Sequence, residues 1–116
     1  MFSRSSTEGY RTVAPGIELR TLVHGQATLM AEFRMAAGHE LPTHVHPHEQ
    51  TGYLVQGRIR LRIGEHAHDA APGDSWSIPG GIPHGATIIE DVIAIEVFSP
   101  VREDLLPAAV DGGSSG

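Results

Sequence analysis

The chain of 116 residues has no cysteine, which excludes disulfides, thiolate nucleophiles and zinc–sulfur sites together. It has no lysine either: its eight basic residues are all arginine, set against 14 acidic ones for a formal charge of −6. That balance argues against a phosphate-neutralising surface, so neither nucleic acid nor an anionic membrane is expected as a partner. No apolar run approaches the roughly 18 residues of a membrane-spanning helix. The opening MFSRSSTEGYRTV lacks the apolar stretch of a secretion signal, so a cytoplasmic protein is the expectation.

Apolar residues make up 40% of the chain, ordinary for a globular protein, and the length suits one core but not two. Residues 1–110 are expected to form a single domain and the Gly/Ser-rich 111–116 a flexible tail. Fourteen glycines and eight prolines break the sequence into short stretches that alternate in polarity. In RIRLRI, Ile59, Leu61 and Ile63 point one way and Arg58, Arg60 and Arg62 the other, which predicts a charged outward face. TLMAEFRM (28–35) alternates likewise, and TGYLVQG is predicted as a strand ending at Gly57. ATIIEDVIAIEVFS is predicted as two strands meeting near Glu90–Asp91. Only SPVREDLLPAAV has a brief helical character, with Ser99 as cap and Pro100 in the first position. Many short strands without a long helix imply an all-β sandwich or barrel. Its core or lining is expected from Leu29, Phe33, Leu54, Ile59, Leu61, Ile63, Trp76, Ile78, Ile93, Ile95 and Val97.

The most distinctive stretch is THVHPHEQ (43–50), with histidines at every second position. On a strand, His44 and His46 would leave the same face, and imidazole suits manganese, iron, nickel, copper or zinc. The fourth ligand could be Gln50, Glu49 or His48. Parity favours Gln50 over Glu49, whose side chain would face the opposite way. His66 and His68, beside Glu65 and Asp69, are better explained as a solvated strand, and His24 and His39 as isolated histidines.

The spacing extends beyond this stretch. Gly38, His44, His46, Gln50 and Gly57 are followed by Gly73, Pro79, Gly81 and His84. This resembles the two motifs of the cupin superfamily, G-x5-H-x-H-x3/4-E-x6-G and G-x5-P-x-G-x2-H-x3-N, with Gln50 in place of the glutamate and Ile88 in place of the asparagine. The resemblance implies a jelly-roll β-barrel, or double-stranded β-helix. It also implies one divalent transition metal (Mn, Fe, Ni, Co or Zn) on His44, His46, Gln50 and His84, and a homodimer. TVAPGIELRTLV is the segment that could be exchanged across such an interface. Tyr53, Trp76 and Phe98 are candidate aromatics of the cavity wall.

EVFSPVREDLL (96–106), together with HPHEQ and IPHG, is similar to the small cupins of pectin and alginate breakdown. Their corresponding segment reads close to D-V-F-[TS]-P-x-R-E-D-[FY]-L, and their metal sits on three His and one Gln. They convert unsaturated uronate monosaccharides to linear keto sugars. That resemblance implies a metal-dependent lyase- or isomerase-type enzyme for a small carboxylated sugar, with Glu96, Phe98 and Arg102 as catalytic residues. Glu96 is one methylene longer than the family's aspartate. A metal-dependent dioxygenase and a non-catalytic small-molecule-binding module stay open as readings, because one architecture carries many chemistries.

Overall fold

The computed structural model describes residues 1–107; the expected tail at 111–116 lies outside the described residues. Eight antiparallel strands follow one another: β1 (Arg11–Ala14), β2 (Ile17–His24), β3 (Leu29–Met35), β4 (Glu40–His44), β5 (Glu49–Ile63), β6 (His66–Ala70), β7 (Ser75–Ile78) and β8 (His84–Ser99). A short 3-10 turn, Glu103–Leu105, closes the described chain. None of these elements is a helix long and apolar enough to cross a membrane.

The two longest strands organise the molecule. β5 and β8 pair along almost their whole length, from Glu49↔Ser99 to Ile63↔His84. The first half of β5 and the second half of β8 join β7 and β3, while their other halves join β6 and β4. One hydrogen-bonded ribbon thus belongs to two layers, β1-β2-β3-β8-β5-β7 and β4-β8-β5-β6. The layers fold towards each other into a jelly roll, and Leu19, Phe33, Met35 and Phe98 of the first face Leu41, Ile59, Leu61 and Ala86 of the second across the interior. Folding the ribbon in its middle brings its two ends together, with Gln50 and Phe98 from one layer beside His84 from the other.

The fold point corrects two sequence expectations. Gly57 does not end its strand, and Glu90–Asp91 does not separate two strands; both lie within continuous strands where the register shifts. Gly57 has φ +93°, and a Cβ there would stand 2.1 Å from the Asp91 carbonyl oxygen, so only glycine fits. The bulge inserts one extra residue, and the inward parity of β5 changes from Gln50, Gly52 and Leu54 to Ile59 and Leu61. The extreme alternation of RIRLRI is one half of a strand whose other half alternates in the opposite sense.

Parity corrects the core as well. Val92, Ala94, Glu96 and Phe98 are the buried, inward residues of β8, while Ile93, Ile95 and Val97 are half-buried on its outer face. The run VIAIEVF is apolar at both parities, so hydropathy alone does not choose between them. Tyr53 is half exposed on the same outer side of β5 and is not a cavity residue. The helical stretch reduces to the single turn after Arg102, and Ser99 is the last residue of β8 rather than a cap. Arg58, Arg60 and Arg62 face outward as expected, paired with Glu90, Asp69 and Glu40.

The outer face of β3 carries a small polar cluster. The Tyr10 hydroxyl donates to Glu32 Oε2 at 2.7 Å, and Arg34 Nε donates to the same oxygen at 2.8 Å. Burial pushes the Glu32 carboxyl up, but the Tyr10 and Arg34 hydrogen bonds outweigh it and its pKa lies below the ordinary value. A depressed folded-state pKa contributes stability above the unfolded value, which is lost as pH falls through the folded one. Glu32→Gln is therefore expected to cost about 1 kcal/mol at pH 7. In denaturant titrations the difference should shrink as pH is lowered from about 5 to 3; an equal cost at both ends would contradict this.

Candidate metal centre

His44 ends β4 and pairs with His84 at the start of β8, while His46 lies just beyond β4, in the bend leading to Gln50 on β5. The expectation of two histidines alternating on one strand is thus half met. His46 reaches the cluster because the chain bends, not because the strand continues. The ring centroids of His44 and His84 are 4.3 Å apart and those of His46 and His84 4.8 Å. A nitrogen from each of the three lies within 4.8 Å of the others, so the three could hold a metal ion.

Their tautomers follow from their neighbours. Each Nδ1 faces a backbone carbonyl two residues away: Pro42 O at 2.9 Å for His44, His48 O at 3.1 Å for His46, and Ile82 O at 2.9 Å for His84. A carbonyl only accepts, so Nδ1 carries a proton in His44 and His84, whereas His46 faces an acceptor at each nitrogen, with Gln50 Oε1 3.1 Å from its Nε2. His84 Nε2 is buried without a hydrogen-bond partner. Burial, the largest cause in both, pushes the His46 pKa down and that of His84 down to about 4, keeping both rings neutral. Three imidazole nitrogens this close together, each ring oriented by a backbone carbonyl, fit a divalent transition metal.

Gln50 joins this cluster to a buried acid. Its Nε2 donates to Glu96 Oε1 at 2.9 Å, which leaves Oε1 as the acceptor end, 3.1 Å from His46 Nε2. Glu49 is exposed on the opposite face, as its parity requires. His48 is half-buried, 5.6 Å from His46 between ring centroids, and does not belong to the three-histidine group. Glu96 also accepts from Trp76 Nε1 at 3.1 Å. Burial pushes the Glu96 carboxyl up to about 7, against the lowering effect of the Gln50 and Trp76 hydrogen bonds.

Trp76, Gly52 and Glu96 are cross-strand neighbours on β7, β5 and β8. A Cβ on Gly52 would stand 2.1 Å from Trp76 Nε1 and 2.3 Å from Glu96 Oε1. Gly52 therefore makes the space in which the indole reaches the carboxylate. Neither Gly52 nor the indole's role emerges from the sequence motifs, although a glycine inside a strand is a recognised mark of close approach.

Phe98 is fully buried, with its ring edge-on to His46 at 5.8 Å, and the Arg102 guanidinium lies over that ring at 4.8 Å. His44, Gln50, His84, Glu96, Phe98 and Arg102 line one cavity of about 480 Å³, with apolar walls from both layers. The residues singled out at 96, 98 and 102 thus reach the same cavity as His44 and His84. His66 and His68 are exposed on β6, 6.5 Å apart between ring centroids, and remain a surface pair.

A family model described as "Cupin domain" matches residues 31–99, which span every motif position from Gly38 to His84. Among solved structures, KdgF from Halomonas sp. is 30% identical, with a TM-score of 0.85, covering 91% of this chain and 98% of its own. An RmlC-like cupin from Shewanella frigidimarina is 27% identical, with a TM-score of 0.84, covering 89% and 93% respectively. A predicted oxalate decarboxylase from Thermotoga maritima, at 18% identity and a TM-score of 0.75 over 86% and 99%, shares the fold alone. No curated protein matches the chain.

Proposed function

The chain belongs to the cupin family, and from that premise we propose that it is a metal-dependent enzyme acting on an unsaturated uronate or a closely related carboxylated sugar. The observation that carries this reading is one cavity lined by two members of a three-histidine cluster, a buried carboxyl and an arginine stacked on an aromatic ring. The similarity of EVFSPVREDLL to the uronate cupins, and the 30% identity with KdgF over nearly the whole of both chains, support it.

In this reading His44, His46 and His84 hold the ion through Nε2 and Gln50 completes the set through Oε1. His46 Nε2 and Gln50 Oε1 stand 3.1 Å apart, joined by a proton when Nε2 carries it and open to a shared cation when it does not. When bound, a divalent ion there supplies Lewis acidity towards an oxygen of the substrate.

The remaining steps belong to side chains. Arg102 receives the uronate carboxylate, and Phe98 supports the guanidinium and forms the wall beside the ring. Glu96, with a carboxyl poised near neutrality, takes a proton from the attacking water and delivers one to the alkene carbon as hydroxyl adds to the other. The resulting hemiketal opens when its ring C–O bond breaks and the keto group forms, the hemiketal hydroxyl proton passing to the departing ring oxygen. Gln50 ties the two halves together, because the amide that offers Oε1 to the ion gives its Nε2–H to Glu96.

On mixing metal-loaded protein with an unsaturated uronate, the alkene absorbance is expected to disappear, and His46→Ala should abolish the change. Inertness of the loaded protein towards a panel of unsaturated uronates, or stoichiometric oxygen uptake, would overturn the reading.

A further inference from the structure

Arg102 does not offer its whole guanidinium to the cavity. Its Nε and Nη2 donate to the Asp104 carboxylate at 3.2 and 2.5 Å, which occupies the side-on fork. Of five N–H donors, the two on Nη1 and one on Nη2 remain. A substrate carboxylate therefore meets Arg102 end-on, beside an acid that already holds its better edge.

The other side of Asp104 carries a second cation. Arg11, on β1, donates Nη2 to the Asp104 backbone carbonyl at 2.7 Å and lines the same cavity as Arg102. Among the described residues Arg11 has no carboxylate within ion-pair distance, whereas Arg34, Arg58, Arg60, Arg62 and Arg102 each have one. The turn that sets this arrangement is fastened from both ends. Thr21 Oγ1 donates to the Leu105 carbonyl, and the Leu105 side chain is buried in the core. Two guanidiniums thus bracket one aspartate at the cavity mouth, in a chain whose overall charge of −6 repels anions elsewhere.

We propose that Arg11 is a specificity-determining residue, a second guanidinium that shares the substrate carboxylate with the free edge of Arg102. Asp104 is the strut that holds the pair apart. The inference rests on the uronate reading for its substrate class and extends it. The carboxylate is read at the mouth by two elements from opposite ends of the chain, and the reacting carbons point inward to the imidazoles.

The test is equilibrium binding to the zinc-loaded, 15N-labelled protein, with D-galacturonate as probe and D-galactose as the uncharged control, followed through the arginine Nε–H resonances. Galacturonate is expected to shift the Arg11 and Arg102 signals with one common midpoint, and galactose neither. Arg11→Gln should weaken galacturonate binding about tenfold, leave galactose unchanged, and be partly rescued by Arg11→Lys. A response from Arg102 alone, no response from either arginine, or a change of less than twofold in Arg11→Gln would overturn the inference. Turnover of an unsaturated uronate is scored separately by absorbance. A protein that binds galacturonate through both arginines yet leaves every unsaturated uronate intact would sink the enzymatic reading and keep this one.

Discussion

Gly52→Ala should inactivate the protein while leaving it folded. The added methyl would lie 2.1 Å from Trp76 Nε1 and 2.3 Å from Glu96 Oε1, so the indole and the carboxylate cannot keep their hydrogen bond around it. Gly52 sits in extended β5 with no positive φ, so the cost comes from overpacking and not from backbone strain. Overpacking of this kind costs about 1–3 kcal/mol of stability. Displacing Glu96 by about an ångström should lower turnover on the order of a hundredfold. Trp76 is the chain's single tryptophan, so its fluorescence reports the displacement directly. Gly25→Ala, where nothing lies within 4 Å of the added carbon, is the control. Unchanged emission and activity in Gly52→Ala would show that the Trp76–Glu96 contact has no part in the site.

The second large effect concerns the imidazoles. Binding of a divalent metal to the folded state alone, at about a thousand times its dissociation constant, contributes about 4 kcal/mol. For a chain of this size that corresponds to roughly 15 °C in the unfolding midpoint. His84→Ala removes a buried Nε2 with no protein partner, and should reduce the metal-dependent increment to a few degrees. His66→Ala, on the exposed pair of β6, should leave it whole. Calorimetric scans of wild type and both variants, with and without the metal, decide the matter. Equal increments in wild type and His84→Ala would remove His84 from the ligand set.

The positions proposed as ligands were legible in the sequence because turns and short spacings set them. His44, His46 and Gln50 lie within seven consecutive residues, and the glycines and prolines around His84 define its turn. Glu96 and Phe98 were legible only through a family resemblance, since the apolar run around them is ambiguous in parity. The structure resolves that ambiguity: residues 92, 94, 96 and 98 face inward, while Ile93 and Ile95 face out.

What could not be read was pairing between distant strands. Trp76 and Glu96 are 20 residues apart, and Arg11 and Asp104 are 93 apart. No local pattern encodes either contact. Gly57 was misread for a related reason. A glycine followed by alternating residues has the form of a turn, and only the long partner strand β8 shows it to be a bulge inside a continuous ladder.

The three carbonyls that hold the imidazoles have a consequence for how the site behaves as a unit. Each ring is aimed by backbone only two residues distant, at Pro42, His48 and Ile82, and not by acids supplied from remote strands. Each ring therefore carries its own orientation in a tripeptide-sized cassette, and the surrounding barrel needs only to bring three cassettes to one place. Such a centre is portable. Sequence drift in the outer strands can reshape the cavity while the orientation of the three rings is kept.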